Sequence, residues 1–500
     1  MSNSPNIDFS STDRWSNDGQ LWLILITTSL AGFLLAIDTT LINFALPPLQ
    51  RDLGITIEQG SWVINSFSMA YLSLVILGGR ICDIWGRRRV FIIGCLVFGL
   101  GSLICASGGT IQIVLLGRVV QATGSALMMP GSIAIVTDAF QHKDLGLAIG
   151  IWGAIAALGL IVGPLISGSL IAIFGWRSVF LLAAVLSAVI LIMTISIVQE
   201  SKDENANRDI DWIGGFLAGT SVLLIVFALW NIDSNLWKSV GLFALSIIGI
   251  TFFIITEKRR KNPLIDLVLF RNRVFLTGII IRFTSGFGFV PVVLLSTIYM
   301  QNFLHRTAFE AGIMFLPIGL LVVISTLMWG RVIGKFGPKM PLIFGTSLLV
   351  ISTLIWVNFD ASSNYVELLM SLSLAAIGGG CAFVATTILV MNSLGTYKAG
   401  LGSGILNMIQ NVSGSIGVAL VSMIFANSLR KGLEEKAPMA DFSVVANIGP
   451  EIGSLAQAEV FAKALSNAGI PIMIMVIVGL VWALILPRKI NVRKVIYDDL

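Results

Sequence analysis

Gly79-Arg80-Ile81-Cys82-Asp83-Ile84-Trp85-Gly86-Arg87-Arg88-Arg89 joins two long apolar runs, and Gly330-Arg331-Val332-Ile333-Gly334-Lys335-Phe336-Gly337-Pro338-Lys339 joins another two. Glycine, arginine, glycine and a cation recur at the same spacing in both. Chance acting on basic loops is one explanation. The other is a chain built as two homologous halves, a plan common among membrane proteins whose halves rock about a central site.

The runs on either side are too apolar for a soluble core. Of 500 residues, 56% are apolar and 12% charged, where soluble domains carry about 25% charged residues. Stretches such as Val90–Leu116 contain no charge at all and reach the roughly 20 residues that cross a bilayer. Glycine recurs inside these runs, where helices packed in lipid use it for close approach. The pattern predicts an all-α integral membrane protein with spans at 21–47, 60–81, 90–107, 112–135, 146–172 and 177–198, two more at 212–230 and 239–256, and six at 275–300, 309–331, 341–358, 364–390, 399–427 and 467–487.

The predicted organisation is an N-terminal segment 1–20, a six-helix bundle 21–198, and a linker 199–274 carrying the two extra spans. A second six-helix bundle, 275–487, includes a long outer loop 429–466, and a tail 488–500 follows. Within that loop, 457–465 has the pattern of an amphipathic helix lying over the exit. With the N-terminus inside, about 21 of the 32 cations fall in loops on that side and about eight on the other. Both termini are therefore expected in the cytoplasm, in a cell membrane. The net charge of +5 reflects this bias and gives no reason to expect nucleic acid. Cys82, Cys95, Cys105 and Cys381 lie in or beside apolar runs without a CxxC pair, and His142 and His305 are isolated, so neither disulfides nor a metal are expected.

The quoted loop, read as Gly79-x-x-x-Asp83-x-x-Gly86-Arg87-Arg88, is similar to the signature loop of the major facilitator superfamily, and other segments resemble its fourteen-span drug:proton antiporter branch. Ala36-Ile37-Asp38-Thr39-Thr40-x-x-Asn43-x-Ala45-Leu46-Pro47 resembles the motif marking that branch. Leu116-Gly117-Arg118-x-x-Gln121-x-x-Gly124 resembles the superfamily's arginine motif, and Gly159-x-x-x-Gly163-Pro164 its antiporter motif. Smaller matches are Tyr299-Met300-Gln301 leading to Ala311-Gly312, and the linker Asn262-Pro263-Leu264-Ile265-Asp266. Three places depart from the pattern. Ser167-Gly168 stands for Gly-Gly, Leu-Leu-Ala-Ala follows Trp176-Arg177, and Gln410 with Asn411 stands where relatives often carry arginine. The resemblance implies the major facilitator fold, a latch of Gly79, Asp83, Gly86, Arg87 and Arg88 that stabilises the outward-facing state, and export of small amphipathic compounds against protons by a monomer.

Asp38 is the one acid deep inside a predicted span. A carboxylate at the bilayer centre costs roughly 2.5–3.5 kcal/mol on insertion scales, so it usually faces a cavity. Two roles stand for it, proton carrier and partner of Arg118, and it can alternate between them. Arg118, Gln121, Ser125 and Ser132 share a helical face, which either faces a cavity or holds helices together. Arg282, nine residues into its span, either snorkels to the surface or adds a second cation to the cavity, which would favour neutral, zwitterionic or anionic cargo. Ser403, Asn407, Gln410, Asn411 and Gly414 form a stripe suited to a loose substrate or to packing. Asn43 completes the cavity set, with Phe67 and Trp152 as aromatic contributors. No phosphate-binding G-x-x-x-x-G-K-[ST] loop and no nucleophile–base set occurs in the chain, so neither an enzyme nor an ATP-driven pump is expected. The proton gradient would supply the energy. A dedicated exporter of one metabolite or self-made antibiotic is the rival reading.

Overall fold

A computed structural model describes residues 18–140, 143–202, 211–230, 236–260, 263–306, 308–394, 398–436 and 455–486. Within them lie fourteen helices long and apolar enough to cross a membrane. The first bundle holds α1 (Asp18–Leu53), α2 (Ile57–Trp85), α3 (Arg87–Ala106), α4 (Ile111–Ala139), α5 (Lys143–Phe174) and α6 (Arg177–Ile197). An inserted pair follows, α7 (Trp212–Trp230) and α8 (Leu236–Arg259). The second bundle holds α9 (Arg273–Ile298), α10 (Ala308–Phe336), α11 (Lys339–Val357), α12 (Tyr365–Leu394), α13 (Ala399–Lys436) and α14 (Leu455–Ile485). The N-terminal segment to residue 17, the middle of the long loop (437–454) and the tail from 487 lie outside the described residues.

Glycine sets the packing inside each half. In the first, Gly94 and Gly101 of α3 face Gly124 and Gly117 of α4 so closely that a methyl group on Gly101 would lie 2.9 Å from the Gly117 carbonyl oxygen. In the second, Gly345 of α11 meets Gly378 of α12, with 3.2 Å for the same test. The pairs join corresponding helices of the two halves. Serine and threonine hydroxyls inside the spans return bonds to the preceding turn, as Thr28 does to the Ile24 carbonyl at 2.8 Å. Such local bonds keep polar side chains satisfied where no water is available.

The inserted pair sits against the first bundle. Gly219 of α7 lies on the Ser73 backbone of α2, and Ser246 of α8 donates to the Ser221 carbonyl of α7 at 2.9 Å. The outer face of α8 is apolar and exposed, with Trp237, Ile247 and Phe252 on it. A buried polar cluster ties the ends of the pair to the linker. Asp211 accepts from the Gly214 amide at 2.7 Å and pairs with Arg260, while Glu257 accepts from Ile265 at 3.3 Å.

Two expected boundaries change. The outer loop does not run from 429 to 466, because α13 continues to Lys436 and α14 begins at Leu455. Residues 457–465 are therefore the first turns of α14 and not a separate helix over an exit. Their apolar face has a better partner: Val460, Phe461, Ala464 and Leu465 pack against Phe425, Leu429 and Leu433 of α13. Likewise α1 runs past residue 47, through Pro47 and Pro48, to Leu53.

Candidate functional site

The loop that opened the sequence reading lies where the two halves meet. We call this the basic end. Gly86 turns the chain between α2 and α3 with a φ of 110°, a conformation open to glycine at little cost. A side chain there would also strike the Glu200 carboxylate, which accepts the backbone amides of Arg88 and Arg89 at 3.1 Å each. Asp83 is fully buried and crosses between halves, accepting the amides of Gly400 at 2.8 Å and Leu401 at 2.9 Å. These are the first free N–H groups of α13, where a helix favours an anion. Gly79 and Gly400 meet backbone to backbone beside this bond.

Among the described contacts, Arg87 and Arg88 find their partners in the first half. Arg87 pairs with Asp138 of α4 at 2.9 Å and lies 3.9 Å from Asp83. Arg88 reaches the Ile195 carbonyl of α6 at 2.8 Å. Both bind within the first half, because Asp138 and the α6 end offer acceptors there, while α13 presents donors to Asp83. Further closures line the same end. Gly146 and Gly150 of α5 lie on Gly330 and Thr326 of α10, and the Ser403 hydroxyl of α13 donates to the Pro130 carbonyl of α4 at 2.9 Å. The halves are shut at the basic end.

A cavity of about 260 Å³ sits above this closure, between the halves. Trp152, Arg282, Ser285, Phe383 and Gln410 belong to its wall, with Gly153, Ala156, Gly379 and Gly380 giving it room. At 1.5 Å per residue, Trp152, Arg282 and Gln410 each lie about 14–17 Å into their helices from the basic end, near the middle of a roughly 30 Å bilayer. The Trp152 and Phe383 rings stack across the two halves, centroids 6.0 Å apart and planes 3° from parallel. The Arg282 guanidinium lies 4.3 Å over Phe383 and is 3% exposed. It does not snorkel.

Asp38 and Arg118 form a separate centre inside the first half. Asp38 is 4% exposed and Arg118 2%, and their charged groups meet at 2.8 Å. Arg118 also donates to the Val63 carbonyl at 3.0 Å and to Gln121 at 2.9 Å, and covers the Phe67 ring at 4.4 Å. Gln121 in turn donates to Ser102 at 2.8 Å. Arg118 is only seven residues from the start of α4, so the pair lies about 10 Å from the end of the molecule opposite the basic one.

The predicted cavity set therefore divides. Arg282 and Gln410 line the cavity. Gln121 belongs to the Asp38 centre, and the Ser125 hydroxyl is buried without a partner among the described residues. Asn43, Asn407 and Asn411 spend their amide donors on their own helices, bonding the Thr39, Ser403 and Asn407 carbonyls at 3.1, 2.9 and 2.8 Å. Gly159 and Gly163 pack α5 onto α1. A methyl group on Gly159 would lie 2.6 Å from the Phe33 carbonyl and 3.0 Å from the Ile37 nitrogen, and one on Gly163 would strike Thr40. The two glycines thus bracket the turn of α1 that carries Asp38. The Pro164 side chain is outside the described residues. Phe383 was not legible, since it stands in a charge-free run with nothing to set it apart. Glu200 and Asp138, at helix ends, were missed because their partners lie more than 50 residues away in sequence.

Two six-helix halves about a central cavity, joined at one end by a buried carboxylate that crosses between them, are the architecture of a membrane transporter built from two halves. The chain belongs to the major facilitator superfamily, whose family model matches residues 28–418. It is 31% identical over 416 residues to the multidrug resistance protein Stp of Mycobacterium tuberculosis, covering 82% of this chain and 77% of that one. To the tetracenomycin C resistance and export protein of Streptomyces glaucescens it is 25% identical, covering 90% and 84%. The fold also matches the solved proton:xylose symporter XylE, with a TM-score of 0.63 at 15% identity over 92% of this chain and 95% of that one.

Proposed function

We propose that the protein exports small amphipathic compounds in exchange for protons, through alternating access of the mid-membrane cavity. On this reading the basic end is cytoplasmic, because loops on that side collect Lys and Arg. Both termini then lie in the cytoplasm, and the gate is closed on the cytoplasmic side of a cell membrane. The path lies within one chain, so a monomer suffices.

The observation that carries the reading is the buried Asp38–Arg118 pair. It lies toward the outer surface while the inner gate is shut, in the position to receive a proton from outside. Protonation of Asp38 removes the charged partner of Arg118 and frees the turn of α1 that Gly159 and Gly163 clasp. Because α5 also packs against α10 of the other half, a shift of α1 is felt at the interface between halves. Each proton falling through 100 mV supplies about 2.3 kcal/mol. The names of the two relatives, a multidrug resistance protein and an antibiotic resistance and export protein, support outward movement of drug-like cargo. A narrower reading, one dedicated cargo, is favoured by the modest cavity, about 260 Å³ with Arg282 its single charged wall residue among those described.

The test is efflux from proteoliposomes under an imposed pH gradient, with cationic, neutral and anionic compounds. Wild-type protein accumulates cargo only with the gradient, and Asp38→Asn loses that dependence. Undiminished gradient-driven accumulation by Asp38→Asn would overturn the proton site.

A further inference from the structure

We propose that the cavity binds a planar aromatic molecule bearing an anionic group, a carboxylate or its equivalent, with the acid on Arg282 and the ring against Phe383 and Trp152. This rests on the export reading for its physiological meaning, but not for its physical argument.

Arginine keeps its charge in practice, so a buried one must be paired or solvated. The two membrane arginines of this protein differ in this respect. Arg118 has a carboxylate, a backbone carbonyl and an amide oxygen, all within 3.0 Å. Arg282 has one long bond, to the Phe383 carbonyl at 3.4 Å, and the face of the Phe383 ring. Its Nε has no acceptor among the described residues. None of the described residues lining the cavity is Asp or Glu. Among the described residues, this buried cation at mid-membrane has no counter-charge.

The neighbouring polar groups carry the same sign of demand. One turn along α9, the Ser285 hydroxyl is buried without a partner among the described residues, and so is the Trp152 indole N–H on the other side of the cavity. Three donors facing one cavity from two sides, guanidinium and hydroxyl on one and indole on the other, ask for a ligand rich in acceptors. A cationic ligand would meet the unneutralised charge of Arg282 and find no carboxylate. The surroundings are apolar and flat, with the parallel Trp152–Phe383 stack and Phe289, Val322 and Leu160 beyond it. Inorganic anions would use the donors and leave these surfaces bare. An aromatic acid uses both, and the low local dielectric strengthens its bond to the guanidinium.

Three probes of nearly one shape separate the possibilities: 2-naphthoate, 2-naphthamide and (2-naphthylmethyl)trimethylammonium. Equilibrium binding is measured on the full chain in lipid nanodiscs. Naphthoate is expected to bind wild type at least about tenfold more tightly than the amide, with the ammonium weakest, as befits a charge-assisted bond. Arg282→Gln should weaken naphthoate by roughly tenfold to a hundredfold and change the amide by less than about threefold, so amide binding also reports that the variant is folded. Arg282→Lys should restore part of the preference, and Ser285→Ala should lower naphthoate affinity by a smaller factor. These two variants carry the test if Arg282→Gln does not fold. Equal affinity of acid and amide for wild type, or a preference for the acid that survives Arg282→Gln, overturns the proposal. Transport of the same probes separates the two claims. Acid-selective binding without flux of any probe would sink the export reading and leave the anion site standing. Gradient-driven flux without acid preference would do the reverse.

Discussion

Asp83→Asn should open the basic end. The carboxylate is fully buried and accepts two amides across the interface, at 2.8 and 2.9 Å. A hydrogen bond to a buried charged group contributes about 1.5–3 kcal/mol. The asparagine amide retains one acceptor oxygen and turns an NH2 toward the other N–H, so at least one bond is lost together with the negative charge at the α13 N-terminus. A loss of about 3 kcal/mol shifts a two-state equilibrium by roughly 150-fold, enough to bring a population 99% closed to near parity. The fold itself should survive, because Arg87 keeps Asp138 at 2.9 Å. Gly400→Ala attacks the same junction from the other half. Its methyl group would lie 2.7 Å from Asp83 Oδ1 and strike the Gly79 carbonyl, so combining it with Asp83→Asn should add little.

The assay is the spin-label distance across the basic end, between cysteines introduced at Trp85 on α2 and Phe336 on α10, both exposed. All four native cysteines are buried, which confines labelling to the new sites. Wild type should give mainly the short distance, and Asp83→Asn a large long-distance fraction. An unchanged distribution in Asp83→Asn would show that the closure is held elsewhere, with the α5–α10 glycine contacts and the Ser403–Pro130 bond as the remaining candidates.

Arg118→Ala strands the Asp38 carboxylate in a buried site, which costs about 3–5 kcal/mol; thermal unfolding in detergent should fall markedly, and the double change Asp38→Asn with Arg118→Gln should recover part of it. No loss of thermal stability in Arg118→Ala would mean that Asp38 is not held charged by this pair. Gly159→Val should collide with the α1 backbone and uncouple flux from the pH gradient while cargo binding persists; retained gradient-driven transport would count against the α1–α5 route. Asp360, in the turn between α11 and α12, is held below the ordinary carboxylate range, first by the Ser362 hydroxyl, then by the Ser362 amide. A lowered carboxylate contributes support that is present above its unfolded pKa and lost as pH falls through the folded one. Asp360→Asn should therefore leave the pH profile of transport unchanged from about pH 5 to 8, and a shifted profile would remove Asp38's claim to be its source.

Span number and the two-half plan were readable because a bilayer imposes length and apolarity on every crossing, whatever its neighbours. Asp38, Arg118 and Arg282 stood out for the same reason, as charges in runs that exclude them. The sequence names Arg118 as a partner for Asp38, and the two meet at 2.8 Å. It leaves Arg282 open between snorkelling and lining the cavity, because the choice depends on how α9 packs, and periodicity within one helix carries no such information. The amide stripe on α13 shows the limit well: Asn407 and Asn411 have the spacing of a cavity face, yet their donors return to their own backbone. Phe383 shows the converse. Its role comes from a partner on the other half, Trp152, and an apolar run gives no sign of that. Sequence alone puts the end of α13 in a loop, and 457–465 in a separate helix over the exit, because the contact that joins α13 to α14, Phe425 against Phe461, lies across a gap in sequence.

The separation of Asp38 from the cavity constrains how protons and cargo can be coupled. Were one carboxylate to bind both, cargo affinity would fall about tenfold per pH unit below its pKa, as direct competition requires. Here the carboxylate is engaged by Arg118 inside the first half, and the only charged wall of the cavity among the described residues is Arg282, in the second half. On the proton-exchange reading, cargo and proton would then influence one another through a difference between conformations. Besides α1 itself, which lines the cavity through Ala36, the mechanical link is α5, which clasps the Asp38 turn through Gly159 and Gly163, lends Trp152 to the cavity, and abuts α10 through Gly146 and Gly150. One helix touches the Asp38 centre, the cavity and the closed basic end. Holding the basic end shut by a cross-link should thus leave cargo affinity nearly independent of pH, while the freely moving protein shows a pH dependence set by Asp38. A steep pH dependence in the cross-linked form would instead require a second titrating group at the cavity itself.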